Sequence, residues 1–281
     1  MGRTRYVSNS RSGIRGTQIQ GNVIYLQGPN MGAEIYEADT SPRVPVGTRL
    51  VAGDGRVFRY AKATTEVDNQ NFGLKFYGQL ADGIGYTAPL QTQAIGDTTI
   101  RVDAGGAAAV TLDELKGGYI LIHTHTPEDN QFRMITGNTL ADSDGYTTIT
   151  VDGPWTIAIA TTFGTETLQN PYNNVRIKVS AHGEGDHYSS VAGIPVCKTT
   201  AANQYLWLQT WGPIWINPKG TSLLTADVAG ERQLVFDYEG AVCIYDDAVG
   251  TTAHMQNAGF IIDRTAAGAS GPPLVMLQIS P

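Results

Sequence analysis

The chain has 281 residues, 41% of them hydrophobic, enough to bury one large core or two to three modest ones, which excludes a disordered polymer. Charged residues make up only 16%, against roughly 25% in typical soluble domains, while Gly and Pro are plentiful at 33 and 13. The formal charge of −7 is unevenly placed: Arg3, Arg5, Arg11 and Arg15 precede the first acidic residue, Glu34, which leaves a balance of −11 for residues 34–281.

A basic arm on an acidic body suits docking onto an acidic protein surface better than binding nucleic acid, although a frayed, solvated terminus has the same composition. Residues 1–32 are rich in Gly, Ser, Asn and Arg around one apolar patch at Val23–Leu26, which reads as an extended arm with one strand. The N-terminus lacks the apolar core of a signal peptide, and no run reaches the roughly 20 apolar residues that span a bilayer. A soluble protein made in a cytoplasm is expected, with no membrane partner.

In residues 33–90 the segment GTRLVAGDGRVFRYAKA, residues 47–63, has the pattern of a β-hairpin. Gly53-Asp54-Gly55 supplies the positive φ angles of a tight turn, and strand-like flanks lie on both sides. In the second flank Phe58 and Tyr60 share one face, and Val57 and Arg59 the other. Residues 86–96 read as a polar linker, which sets a boundary near 90.

The central region, 91–190, predicts strands at Thr98–Asp103, Tyr119–His125, Phe132–Ile135, Thr147–Val151 and Val175–Val179. Thr111-Leu112-Asp113-Glu114 is a capping-box pattern that would start one or two helical turns, closed by Lys116 and Gly117-Gly118. Asp144-Gly145 and Asn170-Pro171-Tyr172 mark turns. A glycine-rich loop at residues 182–187 leads to the second boundary, near 190.

The last region, 191–281, predicts strands at Ile194–Val196, Gln233–Tyr238, Ala241–Tyr245 and Leu274–Ile279. Its most distinctive segment is YLWLQTWGPIWI, residues 205–216, with three of the four tryptophans. Gly212-Pro213 argues against a helix, because proline removes a donor and clashes with the preceding turn. As a strand it puts Trp207, Trp211 and Trp215 on one face and Leu206, Leu208, Ile214 and Ile216 on the other, so both faces are apolar. Many short strands and no internal repeat predict an all-β protein of sandwich or barrel domains, with an extended N-terminal arm and at most one short helix.

Candidate chemistry is sparse. His123 and His125 would share a strand face, and with Glu128 they have the composition of a facial metal triad. Gly117, His123, His125 and Glu128 resemble the first half of a cupin motif, but the carboxylate comes early and the second half is missing. An exposed His-x-His running into a polar loop accounts for the same residues, and such short motifs often match by chance. His182, Glu184, Asp186 and His187 lack a regular ligand spacing, and Asp246-Asp247 point apart on a strand. Arg56-Val57-Phe58-Arg59-Tyr60 interleaves basic and aromatic residues, as nucleic-acid binders do, but a half-buried hairpin on an acidic body needs no such partner. No nucleophile elbow, phosphate-binding loop, zinc-finger spacing or dinucleotide fingerprint occurs. Cys197 and Cys243 are too few and too far apart for a disulfide framework and are expected as buried free thiols. No catalysis, cofactor, metal or nucleic-acid partner is expected.

Taken in order, GTRLVAGDGRVFRYAKA, LDELKGGYI, LQNPYNNV and YLWLQTWGP resemble structural proteins of tailed-bacteriophage virions, over roughly residues 47–213. The resemblance implies a capsid decoration, or cement, protein on the outer surface of the head, synthesised in the host cytoplasm. Such proteins are commonly homotrimers that bridge neighbouring subunits of the major capsid protein, and no catalytic residues come with the resemblance. Arg3, Arg5, Arg11 and Arg15 would then make the capsid contact, with Trp207, Trp211 and Trp215 in the core or the trimer interface. The alternative is a tail- or vertex-associated protein that uses exposed tryptophans to bind host glycans.

Overall fold

The computed structural model describes residues 16–20, 23–26, 33–68, 72–76, 88–105, 109–124, 126–177, 190–218, 232–237, 239–244, 253–263 and 273–281. Among them strands dominate, and helix is confined to single 3-10 turns at Ala33–Tyr36, Pro127–Asp129 and Pro171–Asn173. The all-β expectation holds. No helix of the described residues is long and apolar enough to cross a membrane.

The strands are β1 Gly16–Gln20, β2 Val23–Leu26, β3 Arg49–Val51, β4 Val57–Ala63, β5 Leu74–Phe76, β6 Thr99–Asp103, β7 Tyr119–His123, β8 Gln131–Asn138, β9 Tyr146–Val151, β10 Gly164–Leu168, β11 Val175–Arg176, β12 Val191–Pro195, β13 Gln204–Trp215, β14 Gln233–Asp237, β15 Val242–Ile244, β16 Ala253–Asp263 and β17 Leu274–Gln278. They form two compact units, one of residues 1–77 with 172–281 and one of residues 78–171. The breaks therefore fall near 78 and 171 rather than near 90 and 190, and residues 33–77 share a unit with residues 191–281.

In the discontinuous unit the pairing β4-β11-β5-β12-β13 returns to β4, closing a small five-stranded barrel. Ala61, Ala63, Leu74, Val175, Ala192, Leu206 and Leu208 form its buried interior. Every strand of the ring contributes, and the many alanines suit a ring this narrow. On the opposite face of β4 and β13, Phe58, Tyr60 and Trp207 pack with Ile35 and Leu50 in a second cluster. The hairpin forms, with Leu50 opposite Phe58 and the Arg56 N–H donating to the Asp54 carboxylate at 3.1 Å, but of Gly53-Asp54-Gly55 only Gly55 takes positive φ, at +87°.

Strand β13 is longer than the barrel requires. Past a bulge between Gln209 and Trp211 it leaves β4 and pairs with β17, which continues through β16 and β14 to β15. One face of this extension buries Leu234, Phe236, Val242, Ile261, Val275 and Leu277. The arm is more structured than a single strand: β1 and β2 form an antiparallel hairpin, and β2 adds in parallel to β3.

The unit of residues 78–171 is a five-stranded sheet in the order β10-β7-β8-β9-β6. Ile100, Val102, Ile120, Ile122, Ile135, Ile149 and Val151 alternate onto its inner face around Trp155, whose indole N–H donates to the Thr99 carbonyl at 3.1 Å. Two expectations are corrected in this unit. Residues 88–96 are strapped down rather than a free linker, since Gln93 and Ile159 exchange backbone bonds at 3.0 Å each and the Leu90 N–H donates to the Arg101 carbonyl at 3.0 Å.

Only half of the capping box forms, and without its helix: the Glu114 N–H donates to the Thr111 carbonyl at 3.3 Å rather than to the hydroxyl. The Thr111 N–H and hydroxyl both donate to the Glu114 carboxylate, at 2.8 and 2.9 Å. Asp113, however, has φ +60°, which no right-handed helix accommodates. Asn138 holds the segment in that shape, accepting from the Leu115 N–H and donating to the Thr111 carbonyl.

Candidate functional site

The three tryptophans of β13 do not share an environment. Trp207 is 2% exposed and packs against Tyr60 with ring centroids 4.9 Å apart. Trp211 is half-buried, and Trp215 is 51% exposed. The bulge separates the first tryptophan from the other two, and Gly212, at φ +99°, lies between Trp211 and Trp215.

Beyond the bulge, the register aligns Trp211 with Gln278, Pro213 with Met276 and Trp215 with Leu274, and Met276 with Phe260 on its other side. Residues opposite one another point to the same face. That face therefore presents Pro213, Trp215, Leu274, Met276 and Phe260, with Phe260 41% exposed and neighbouring Ile262 39% exposed. It is an apolar surface on a sheet whose other face is already packed. Contiguous apolar patches of about 300–600 Å² mark interaction sites more often than chance exposure does.

Arg3, Arg5, Arg11 and Arg15 lie outside the described residues, as do His125, the 182–187 loop and Asp246-Asp247. His123 is half-buried on the outer face of β7. Its Nε2 lies 3.3 Å from a carboxylate oxygen of Glu166, brought alongside by the pairing of β7 with β10. Glu128 is exposed in the turn after the strand. Among the described residues no three His, Cys, Asp or Glu side chains come together as a metal site. Strand alternation marks His123 as outward-facing, but its partner is 43 residues away and no local motif joins them.

On the same outer face, Tyr119 and Phe132 stack with centroids 4.9 Å apart and rings 14° from parallel. Phe132 is 53% exposed. Sequence reasoning placed both residues in strands but missed the pair, because diagonal contacts depend on a register that the sequence does not spell out.

The other polar cluster is buried in the discontinuous unit. The Tyr60 hydroxyl donates to Asp39 at 2.7 Å, and Arg43 pairs with the second Asp39 oxygen. Burial, and then the Asp39 carboxylate, push the Tyr60 hydroxyl well above its ordinary range, so it remains a neutral donor. This arrangement ties the 33–45 segment to the barrel.

Cys197 and Cys243 are buried free thiols, as expected. Burial, with Asp39 and Glu37 nearby, pushes the Cys197 thiol up to about 11. At pH 8 it should therefore resist Ellman's reagent in the native protein and react promptly in denaturant. Rapid native reaction of Cys197, read in a Cys243→Ala variant, would contradict this environment.

Compared with known protein families, curated proteins and solved structures, the chain matches none.

Proposed function

We propose that this protein is a bacteriophage capsid decoration protein that binds the outer surface of the head and stabilises it by bridging subunits of the major capsid protein. The observation that carries the reading is the apolar face of β13, β17 and β16, presented by a sheet packed on its other side. Such a face suits protein contact, and we assign it to self-association as a homotrimer. The arginine-bearing arm, continuous with the β1–β2 hairpin, supplies the capsid contact through Arg3, Arg5, Arg11 and Arg15.

No chemistry at the capsid is needed. A ligand that binds only the assembled shell shifts the equilibrium toward that shell, and three linked contacts bind far more tightly than one. The competing role, host-glycan recognition through tryptophan, is less well supported. A sugar platform needs polar side chains beside the ring, whereas the aligned neighbours of Trp215 are Pro213, Leu274 and Met276.

The test is co-sedimentation with expanded heads that lack the protein. The full chain should bind in amounts comparable to the capsid subunit, and deletion of residues 1–16 should abolish binding while circular dichroism stays native. Unchanged binding by the truncated chain would remove the arm from the reading. Saturation at a small fraction of the capsid subunits would favour a tail or vertex position and host recognition.

A further inference from the structure

We propose that the outer face of the five-stranded sheet carries a shallow slot for one pyranose ring of a saccharide, floored by Leu121 and walled by Phe132 and Glu166. The inference stands apart from the capsid reading and uses neither the arm nor the Trp215 face.

The strand register builds the slot. Leu121 of β7 lies opposite Phe132 of β8 on one side and Glu166 of β10 on the other. Neighbouring strands are about 4.8 Å apart, so the backbones carrying Phe132 and Glu166 stand roughly 10 Å apart across the Leu121 floor. Tyr119 and His123 lie two residues to either side of Leu121 on the same face and so mark the two ends. Phe132 leans onto Tyr119 in the parallel stack. At 53% exposure the rest of its ring stays open to a ligand, beside the end where His123 meets Glu166 at 3.3 Å. Tyr119, Leu121, His123 and Glu166 are each half-buried, which leaves the slot open to solvent.

The chemistry of these walls selects the ligand. A pyranose has C–H groups on one face and hydroxyls around its rim. Phe132 and the Leu121 methyls match the C–H face by dispersion and apolar burial. A carboxylate only accepts hydrogen bonds, and an imidazole donates one and accepts another. A hydroxyl does both, so the Glu166 carboxylate, held by His123, can accept from one or two rim hydroxyls. An apolar wall with a few placed polar groups is the usual make-up of a small-ligand site.

Other occupants fit worse. A cation would gain most from two aromatic faces aimed at one point, but Tyr119 and Phe132 are stacked on each other, and Glu166 already faces His123. An apolar peptide would take the His123–Glu166 pair out of water without offering it partners.

The test is titration of the full chain with the methyl glycosides of glucose, galactose, mannose and N-acetylglucosamine, followed by saturation-transfer NMR and the ring signals of Phe132. At least one should bind saturably with Kd on the order of 1–10 mM, as expected of a small ligand on an open site. Phe132→Ala and Glu166→Gln should each weaken it by about tenfold or more, the loss of one contact to an apolar wall or a charged acceptor. Trp215→Ser should leave it unchanged. Should Phe132→Ala fail to fold, Phe132→Leu serves instead, since it keeps an apolar side chain but removes the flat face. The proposal is overturned by failure of all four glycosides to saturate, by affinity that survives loss of the Phe132 ring, or by tetramethylammonium binding more tightly than every glycoside.

Discussion

Trp207→Ala should destabilise the discontinuous unit by about 3–5 kcal/mol, the usual cost of truncating a fully buried aromatic side chain. Trp207 is 2% exposed and is surrounded by Tyr60, Phe58, Leu50 and Ile35. Its removal leaves a cavity between the hairpin and the 33–36 turn, and the barrel behind β13 has no slack to close it. The matched control is Trp215→Ala. Trp215 is 51% exposed, so the isolated chain should lose no more than about 1 kcal/mol. Denaturant unfolding followed by far-UV circular dichroism avoids the loss of the tryptophan signal itself. Equal losses at the two positions would mean that the bulge does not divide β13 into a buried and an exposed half.

The second large effect is expected at Gly259, where β16 pairs with β17. Its φ is +124°, a region side chains rarely enter, and a Cβ there would overlap the Met276 carbonyl oxygen. Because that oxygen belongs to the backbone of the paired strand, no rotamer change relieves the collision. Gly259→Ala should cost more than about 3 kcal/mol or prevent β16 from docking, combining backbone strain with overpacking. Gly55→Ala separates the two causes. Gly55 also has positive φ, at +87°, but a Cβ there meets nothing within 4 Å. Only the conformational term remains, about 1 kcal/mol. If the two variants melt together, the close approach of β16 to β17 is wrong.

The tryptophan strand shows how far the sequence could be read. Gly212-Pro213 ruled out a helix, and two apolar faces implied cover on both sides. Both inferences hold for Leu206, Trp207 and Leu208, which are buried on the two faces of β13. Simple alternation stops at the bulge, because one extra residue exchanges the faces of everything after it. Trp215 therefore became exposed although its spacing matched Trp207. Strand β16 went unrecognised for a related reason: AHMQNAGFIID mixes polar residues and a glycine, and its register shifts around Asn257 and Gly259. Strand β10, GTETL, was missed because buried Thr165 and Thr167 line its inner side in place of aliphatic residues.

The slot around Leu121 was legible in its parts but not as a whole. Period-two alternation put Tyr119, Leu121 and His123 on one face, and Phe132 fell within a recognised strand. What brings Glu166 and Phe132 to either side of Leu121 is the pairing β10-β7-β8, and no residue advertises it. The capping box failed in the opposite way. One of its two bonds formed, from the Thr111 N–H to the Glu114 carboxylate, but Asn138, 23 residues beyond Leu115, fixes the segment as turns.

The closed ring of β4, β11, β5, β12 and β13 also constrains the order of events on the ribosome. Thr210 of β13 bonds to Val57 of β4 across 153 residues of chain, while residues 78–171 form a contiguous unit inserted between β5 and β11. The inserted unit can complete its sheet as soon as it emerges. The barrel must wait until β13 has been made: β5 has no partner until β11 and β12 follow the insert, and β4 has only β3 on one edge. Such long-range closure is slow and leaves strand edges open to wrong pairing. If the insert folds first, it shortens the effective loop between β5 and β11, whose pairing sets Val175 opposite Phe76, and so lowers the entropy cost of closing the ring.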